Sequence, residues 1–259
     1  MRKPGFLSWR PFSSIQQPLF EIYESCRTTV LWTQQHHVHD PVREQLLRGK
    51  KVLIVGSGPS AAELERISSG LTVLTCKFGL KLFEQRNFSG PVDLFMCWKG
   101  FVERNLEVLR LLSKVKTRVL VMDDLPFTRS IKLPEDSYCS LIPDDGKDNF
   151  YLKRLIKPYS LKSFKPGKDA MLVRGKVLQH VSSGLRLLQY ALYFGAEEIY
   201  LIGIDLTDEG YFWGQPKKQK HLAIDNFFMR IVSEKYRNVF SLSKKSAITR
   251  YIPYKPLEG

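Results

Sequence analysis

With 259 residues, 43% of them hydrophobic, the chain has an ordinary globular composition, enough to bury a large core as one domain or one domain with appendages. A formal charge of +14 and a pI near 9.6 exceed what solubility alone requires and point to an anionic partner: nucleic acid, a membrane surface, or a phosphorylated or acidic substrate. No compact basic helix or RNP-like aromatic pattern accompanies the charge, so nucleic acid is not specifically indicated.

Cysteines at 26, 76, 97 and 139 show no paired or zinc-type spacing, and two of them fall in expected buried strands. Reduced thiols in a cytoplasm follow. No apolar run reaches the roughly 18 to 20 residues that span a bilayer, and the start MRKPGFLSWRPF lacks the apolar centre of a signal peptide.

Residues 1–49 mix aromatics, basics and prolines and read as an extension to the main domain. Phe20 to Trp32 has near-helical spacing of apolar residues, suited to packing on the domain or to lying on a lipid surface. His36, His37, His39 and Asp40 read as a solvated linker, because no second ligand group sits at a recognisable turn.

The α/β domain is expected over residues 50–250. It opens with KKVLIVGSGPSAAELERI, Lys50 to Ile67: a β-branched run, a break at Gly56-Ser57-Gly58, then Pro59-Ser60 ahead of a helical pattern. Glycine admits unusual backbone angles and close approach of backbone amides to a ligand, and Pro59 suits a first helical turn. The pattern Gly56-x-Gly58-x-x-Ala61 also fits the dinucleotide fingerprint. The second strand, Leu71 to Cys76, nevertheless ends in Lys77 where that fingerprint needs an acid, and the helix to Ile67 is short. A nucleotide or phosphate site and a structural strand-to-helix turn both remain open.

A helix from Phe78 to Phe88, a third strand Val92 to Trp98, a helix from Phe101 to Lys114 and a fourth strand Arg118 to Met122 follow. This alternation predicts a Rossmann-like α/β fold, a mostly parallel sheet with flanking helices. Residues 123–169 dissolve into prolines and charges and read as an irregular, lid-like insertion whose Lys153, Arg154, Lys157, Lys162 and Lys165 suit an anionic acceptor or merely a solvated surface. Residues 251–259 read as a tail.

Order returns at Ser182-Ser183-Gly184, the start of a helix ending at Gly195, and continues in the strand Glu198 to Asp205. A helix start carrying two serines and a glycine suits a phosphate or carboxylate. Asp205 stands at the carboxyl end of its strand, where open α/β sheets place ligands.

The glycine turn Gly56-Ser57-Gly58-Pro59-Ser60, Ser182-Ser183-Gly184, Tyr200-Leu201-Ile202-Gly203-Ile204-Asp205 and His221 ahead of a helix through Lys235-Tyr236 resemble the bacterial sialyltransferases of glycosyltransferase family 42. The resemblance spans roughly Lys50 to Ser241 in two blocks. It implies a single-domain glycosyltransferase A-variant fold, a CMP-sialic acid donor and no metal or other cofactor. His221 would be the general base and Tyr211 would steady the departing phosphate. Ser182, Ser183 and Gly184 would meet the donor carboxylate; Gly56, Ser57 and Gly58 its nucleotide. Asparagines usual in that family are replaced here by Ser57, by Lys77 and by Cys97-Trp98, and one tyrosine of the usual pair by Thr207. Since those positions hold the nucleotide and its phosphate, the CMP-dependent Kdo transferases stay open.

A 2-keto sugar acid on CMP already has a good leaving group, so the protein must align an acceptor hydroxyl, remove its proton and neutralise the phosphate. His221 fits the base and Lys77 the electrostatic role at the phosphate, with Asp205 and Thr207 near the donor. The competing readings are a surface histidine beside Lys217, Lys218 and Lys220, and a hydrophobic loop at Tyr211-Phe212-Trp213. An oxidoreductase or methyltransferase, or a non-catalytic nucleotide- or anion-binding module, are the alternatives in kind. The expected partners are a nucleotide-sugar donor and an anionic or lipid-linked glycan acceptor, met in the cytoplasm at the inner face of the membrane. Homo-oligomerisation stays open.

Overall fold

The computed structural model describes residues 41–88, 90–122, 138–141, 181–215 and 221–257. The Phe20 to Trp32 pattern, the histidines at 36, 37 and 39, and the basic residues at 153–165 and 217–220 lie outside them.

Seven strands form one sheet: β1 (Lys51–Val55), β2 (Thr72–Cys76), β3 (Val92–Met96), β4 (Thr117–Met122), β5 (Tyr138–Leu141), β6 (Glu198–Ile202) and β7 (Val239–Ser241). Every neighbouring pair is parallel, in the order β5-β4-β3-β2-β1-β6-β7. The chain therefore builds outward from β1 on one side, then returns to lay β6 on its other side. That reversal leaves a crevice at the carboxyl ends of β1 and β6, the place where such sheets take ligands.

Both faces of the sheet are covered, which is why its central strands are largely apolar, with Thr72, Thr75 and Asp93 the buried polar positions of β2 and β3. Val52 and Ile54 of β1 face one core, shared with the helices α1 (Pro41–Leu47), α5 (Ser183–Tyr193) and α6 (Leu222–Lys235). Leu53 and Val55 face the other, shared with α2 (Leu80–Arg86) and α4 (Glu107–Lys114). All four β1 residues are fully buried. At roughly 1.5 to 3 kcal/mol for each large apolar side chain removed from water, these two layers dominate the stability of the domain.

Several elements differ from the expectation, among them β7 and α1, which had no counterpart in it, and β6, which stops at Ile202 and not at Asp205. The helix after the glycine turn is a short 3-10 segment, Pro59–Glu63, and the chain then turns extended at Leu64 to bury that side chain. The helix expected from Phe101 to Lys114 is two pieces, α3 (Lys99–Val102) and α4, because the Asn105 side-chain amide donates to the Phe101 carbonyl and diverts the backbone. Leu106 at this break is 69% exposed, while Val108, Leu111 and Leu112 carry the buried stripe. Strand β5 was not expected at all; four residues among prolines and charges pair with β4 from Val119↔Tyr138 to Met122↔Leu141. Cys76 and Cys97 are buried thiols outside any disulfide among the described residues, and the Cys97 thiol donates to the Trp98 carbonyl at 3.8 Å. Beyond β7, Ile252 is buried and Tyr254 pairs with Ser241 along the outer edge of that strand.

Candidate active site

The crevice between β1 and β6 is closed by backbone. The Gly56 amide donates to the Ile202 carbonyl at 2.7 Å and the Gly58 amide to the Gly203 carbonyl at 2.8 Å. A Cβ at Gly56 would lie 2.1 Å from the Gly203 oxygen, and one at Gly58 would lie 2.3 Å from the Asp205 carboxylate. Gly203 itself has φ of +69°, a left-handed angle that suits glycine. These glycines are thus required by the approach of one strand end to the other. The space beside Gly58, expected to admit a phosphate, holds the protein's own carboxylate.

Asp205 is 4% exposed. Its Oδ2 accepts the Ser60 amide at 3.0 Å, while the Ser60 hydroxyl accepts the Gly203 amide at 2.9 Å. Each turn therefore grips the other through one short polar side chain. Ser60 and Gly203 escaped the sequence reading as participants, although a serine two residues past Gly58 was in plain view. The residue after Asp205, Leu206, has φ of +56°, a costly angle for a branched side chain at a strand end.

The amides of Gly56 and Gly58 are spent on β6, and Ser57 is left at the tip of the turn. Its amide and hydroxyl bond to nothing among the described residues, and the residue is half-buried. Its carbonyl accepts the Phe212 amide at 3.1 Å, which pins the aromatic loop to the turn. That loop closes on itself through the Tyr211 amide to the Gln215 carbonyl and the Gly214 amide to the Tyr211 carbonyl, both 2.9 Å.

Tyr211 and Trp213 stack at 4.2 Å with their planes 8° apart, and Phe78 meets both edge-on. The Lys81 ammonium lies 4.5 Å from the Trp213 ring centre, and Lys77 lies 5.0 Å from that of Phe101. Burial pushes the Tyr211 phenol above its ordinary pKa, so it remains a neutral donor at physiological pH. Lys77 has φ of +48°, another left-handed position at a strand's carboxyl end. Thr207 turns instead to Glu209, 3.4 Å away.

On the other side of the crevice, helix α5 starts at Ser182-Ser183-Gly184. A Cβ at Gly184 would meet the Ile204 side chain at 2.9 Å, so the helix start packs directly on the β6 turn. The first amides of a helix have no partner within it. One of the amides at this start is taken from outside: Ser182 donates to Asp225 Oδ1 at 2.7 Å. Asp225 is buried in the first turn of α6, and its amide donates to the His221 carbonyl at 2.9 Å. His221 is half-buried at the N-cap of α6. The Asp225 bond therefore ties the histidine-led helix to the serine-led one.

The sequence also concealed Arg186. It sits within the apolar pattern Leu185 to Leu192, where a lone arginine reads as solvent-facing, yet it is 4% exposed with its guanidinium 4.3 Å above the Trp98 ring at the carboxyl end of β3. Of the residues expected to form the site, Gly56, Gly58, Asp205, Ser57, Gly184 and Ser182 are joined by these contacts, His221 follows through Asp225, and Tyr211 through the loop on Ser57. Lys77 and Thr207 reach Phe101 and Glu209 respectively.

What these features define is an α/β fold with a mostly parallel sheet and a polar crevice at its carboxyl edge. No protein-family model matches the chain, and no curated protein matches it. Solved structures do. The sialyltransferase CstII from Campylobacter jejuni, in complex with the substrate analogue cytidine-5'-monophosphate, aligns over 81% of this chain and 86% of its own, with a TM-score of 0.51 at 19% identity. The same enzyme with CMP-3FNeuAc aligns over 80% of this chain and 86% of its own, with a TM-score of 0.49 at 19% identity. The likeness to the first is a likeness of fold: the domain has a sialyltransferase-like architecture.

Proposed function

We propose that the chain is a metal-independent glycosyltransferase that moves an acidic 2-keto sugar, sialic acid or Kdo, from a CMP donor to a glycan acceptor, with His221 as general base. The observation that carries this reading is the Ser182 to Asp225 bond, which couples the start of the histidine-led helix to an anion-accepting helix start beside the glycine turn. The fold shared with a sialyltransferase captured with CMP supports the choice of nucleotide.

In this reading the Ser57 amide and hydroxyl meet the nucleotide, with Gly56, Gly58 and Asp205 shaping the turn that presents them. The α5 start, Ser182-Ser183-Gly184, takes the sugar carboxylate. The acceptor oxygen attacks the anomeric carbon as its proton passes to the His221 imidazole, the side chain whose ordinary titration range spans neutrality. The bond from that carbon to the phosphate oxygen breaks, and CMP leaves with the electron pair. The neutral Tyr211 hydroxyl and the Lys77 ammonium steady the charge gathering on the phosphate, with Thr207 at the edge of the donor. The acceptor is anionic or lipid-linked, and the enzyme works at the inner face of the membrane.

A thermal-shift panel of CMP, CDP, UDP, GDP, NAD and S-adenosylmethionine tests the nucleotide. CMP at a hundred times its dissociation constant should stabilise the chain by about 2.7 kcal/mol, with activity indifferent to chelators. Protection by UDP only with manganese, or by NAD or S-adenosylmethionine instead, contradicts the reading.

A further inference from the structure

Residues 242–257 hold Lys244, Lys245, Arg250 and Lys255 and no acidic residue. They follow β7 in a parallel sheet, so the loop after Ser241 emerges at the same edge as the glycine turn; the Ser243 hydroxyl donates to Glu63, at the end of the 3-10 segment after that turn, at 2.9 Å. We propose that this loop is a docking surface for an anionic lipid bilayer, holding the candidate site towards the membrane.

Apart from Lys255, the cations of this segment stand outside the ion pairs seen across the described surface. Arg110 and Lys114 share Glu84, Lys81 pairs with Glu107, and Lys51 and Lys255 converge on Glu198. Lys244, Lys245 and Arg250 are exposed and form no ion pair with any described residue. Their backbone is held firm even so: the Ser243 hydroxyl accepts the amides of Lys245 at 3.1 Å and Ser246 at 3.2 Å, and the Ser246 hydroxyl caps the 3-10 segment Ala247–Arg250. Little ordering is left for binding to impose.

Aromatic rings stand among the cations. The Lys244 ammonium lies 4.9 Å from the ring centre of Tyr254, which is 39% exposed, and the Arg250 guanidinium lies 5.5 Å from that of Tyr251. Tyrosine seats its ring at the headgroup level with its hydroxyl in water, and cations beside it meet lipid phosphates. A sulfated glycan would use the charges but not the ring, whereas a bilayer uses both; an oligonucleotide, whose bases also stack on tyrosine, is therefore the competitor that discriminates.

The inference adds a partner to the proposed membrane-facing transferase, and its test needs no transfer reaction. The full chain is mixed with vesicles of phosphatidylcholine, with and without phosphatidylserine, and sedimented without nucleotide. Binding should require phosphatidylserine and weaken as salt rises. The K244A/K245A/R250A variant should keep its melting temperature and lose roughly a hundredfold in vesicle affinity, at about fivefold for each cation. Tyr254→Ala should weaken binding with the salt dependence preserved. An unchanged affinity of the triple variant for the vesicles, or competition by a soluble oligonucleotide or sulfated glycan as effective as the vesicles, would overturn the proposal. Absence of CMP binding would sink the transferase reading and leave this one standing.

Discussion

The two sides of the crevice are built on opposite principles. Between β1 and β6 the backbones approach so closely that Gly56, Gly58 and Gly203 have no room for a side chain; their amides are taken by the Ile202 carbonyl, the Gly203 carbonyl and the Ser60 hydroxyl, and Asp205 holds the Ser60 amide. Across from that seam, α5 and α6 begin with serines, a glycine and a histidine, and they are tied by one charged hydrogen bond, Ser182 to Asp225. The seam supplies rigidity and leaves only Ser57 to meet a ligand. The helix starts carry the serine hydroxyls and the imidazole that the proposed transfer would use. A glycine-rich turn is therefore a weaker sign of ligand contact here than its motif suggests, because the same glycines are demanded by strand packing.

The largest expected effect breaks the seam. Gly56→Ala puts a methyl group 2.1 Å from a backbone oxygen that cannot rotate away, and it should cost about 3 kcal/mol or more, read as a lowered denaturant midpoint. At Gly58 the obstacle is a side chain, so the result should depend on Asp205. Gly58→Ala alone should be destabilising, and Asp205→Ala alone should cost about 1 to 3 kcal/mol by stranding the buried Ser60 amide. The double variant should be more stable than the sum of the two costs allows, because each change removes what the other collides with. Strict additivity would show that the carboxylate does not fill the Gly58 space.

The seam also shows what could be read from residues alone. Strands β1 to β4 and β6 and helix α5 were legible because continuous apolar runs and helix capping are local signals, whereas α6 entered only through the family resemblance. Gly56, Gly58 and Asp205 were legible as neighbours of a ligand edge, since each follows the carboxyl end of a strand, although β6 stops at Ile202 and leaves Asp205 in the turn beyond it. What could not be seen was contact across about 145 residues of sequence: that Asp205 occupies the space at Gly58, and that Ser60 bonds to it. Helix α4 began late because Asn105 bonded its own backbone, a local competition that apolar spacing does not record. Strand β5 has four residues, too few for any periodicity to emerge.

A smaller effect lies far from both sides of the crevice, at the amino end of β6. Glu198 is held by Lys255, Tyr200 and Lys51, and its pKa falls from 4.5 to about 2. A carboxylate with a depressed pKa lends stability that is complete above its unfolded value and is lost as pH falls through its folded one. The window runs from about 4.5 down to about 2. Since these partners are partly exposed, the contribution should be about 1 kcal/mol or less. Glu198→Gln should lower the melting temperature slightly at neutral pH and flatten its fall across that window, with CMP protection unchanged. An unaltered acid limb would remove the role assigned to the pair.

In the proposed reaction His221 is the base at the start of α6, and steady-state transfer from a CMP-linked 2-keto sugar acid by the His221→Ala variant tests that role most directly. Turnover should fall by roughly a hundredfold to ten-thousandfold, with CMP affinity and melting temperature nearly unchanged and the acid limb of the pH profile gone. A variant that turns over like the wild type, or one that loses stability while its folded fraction keeps full activity, would contradict a base at this position.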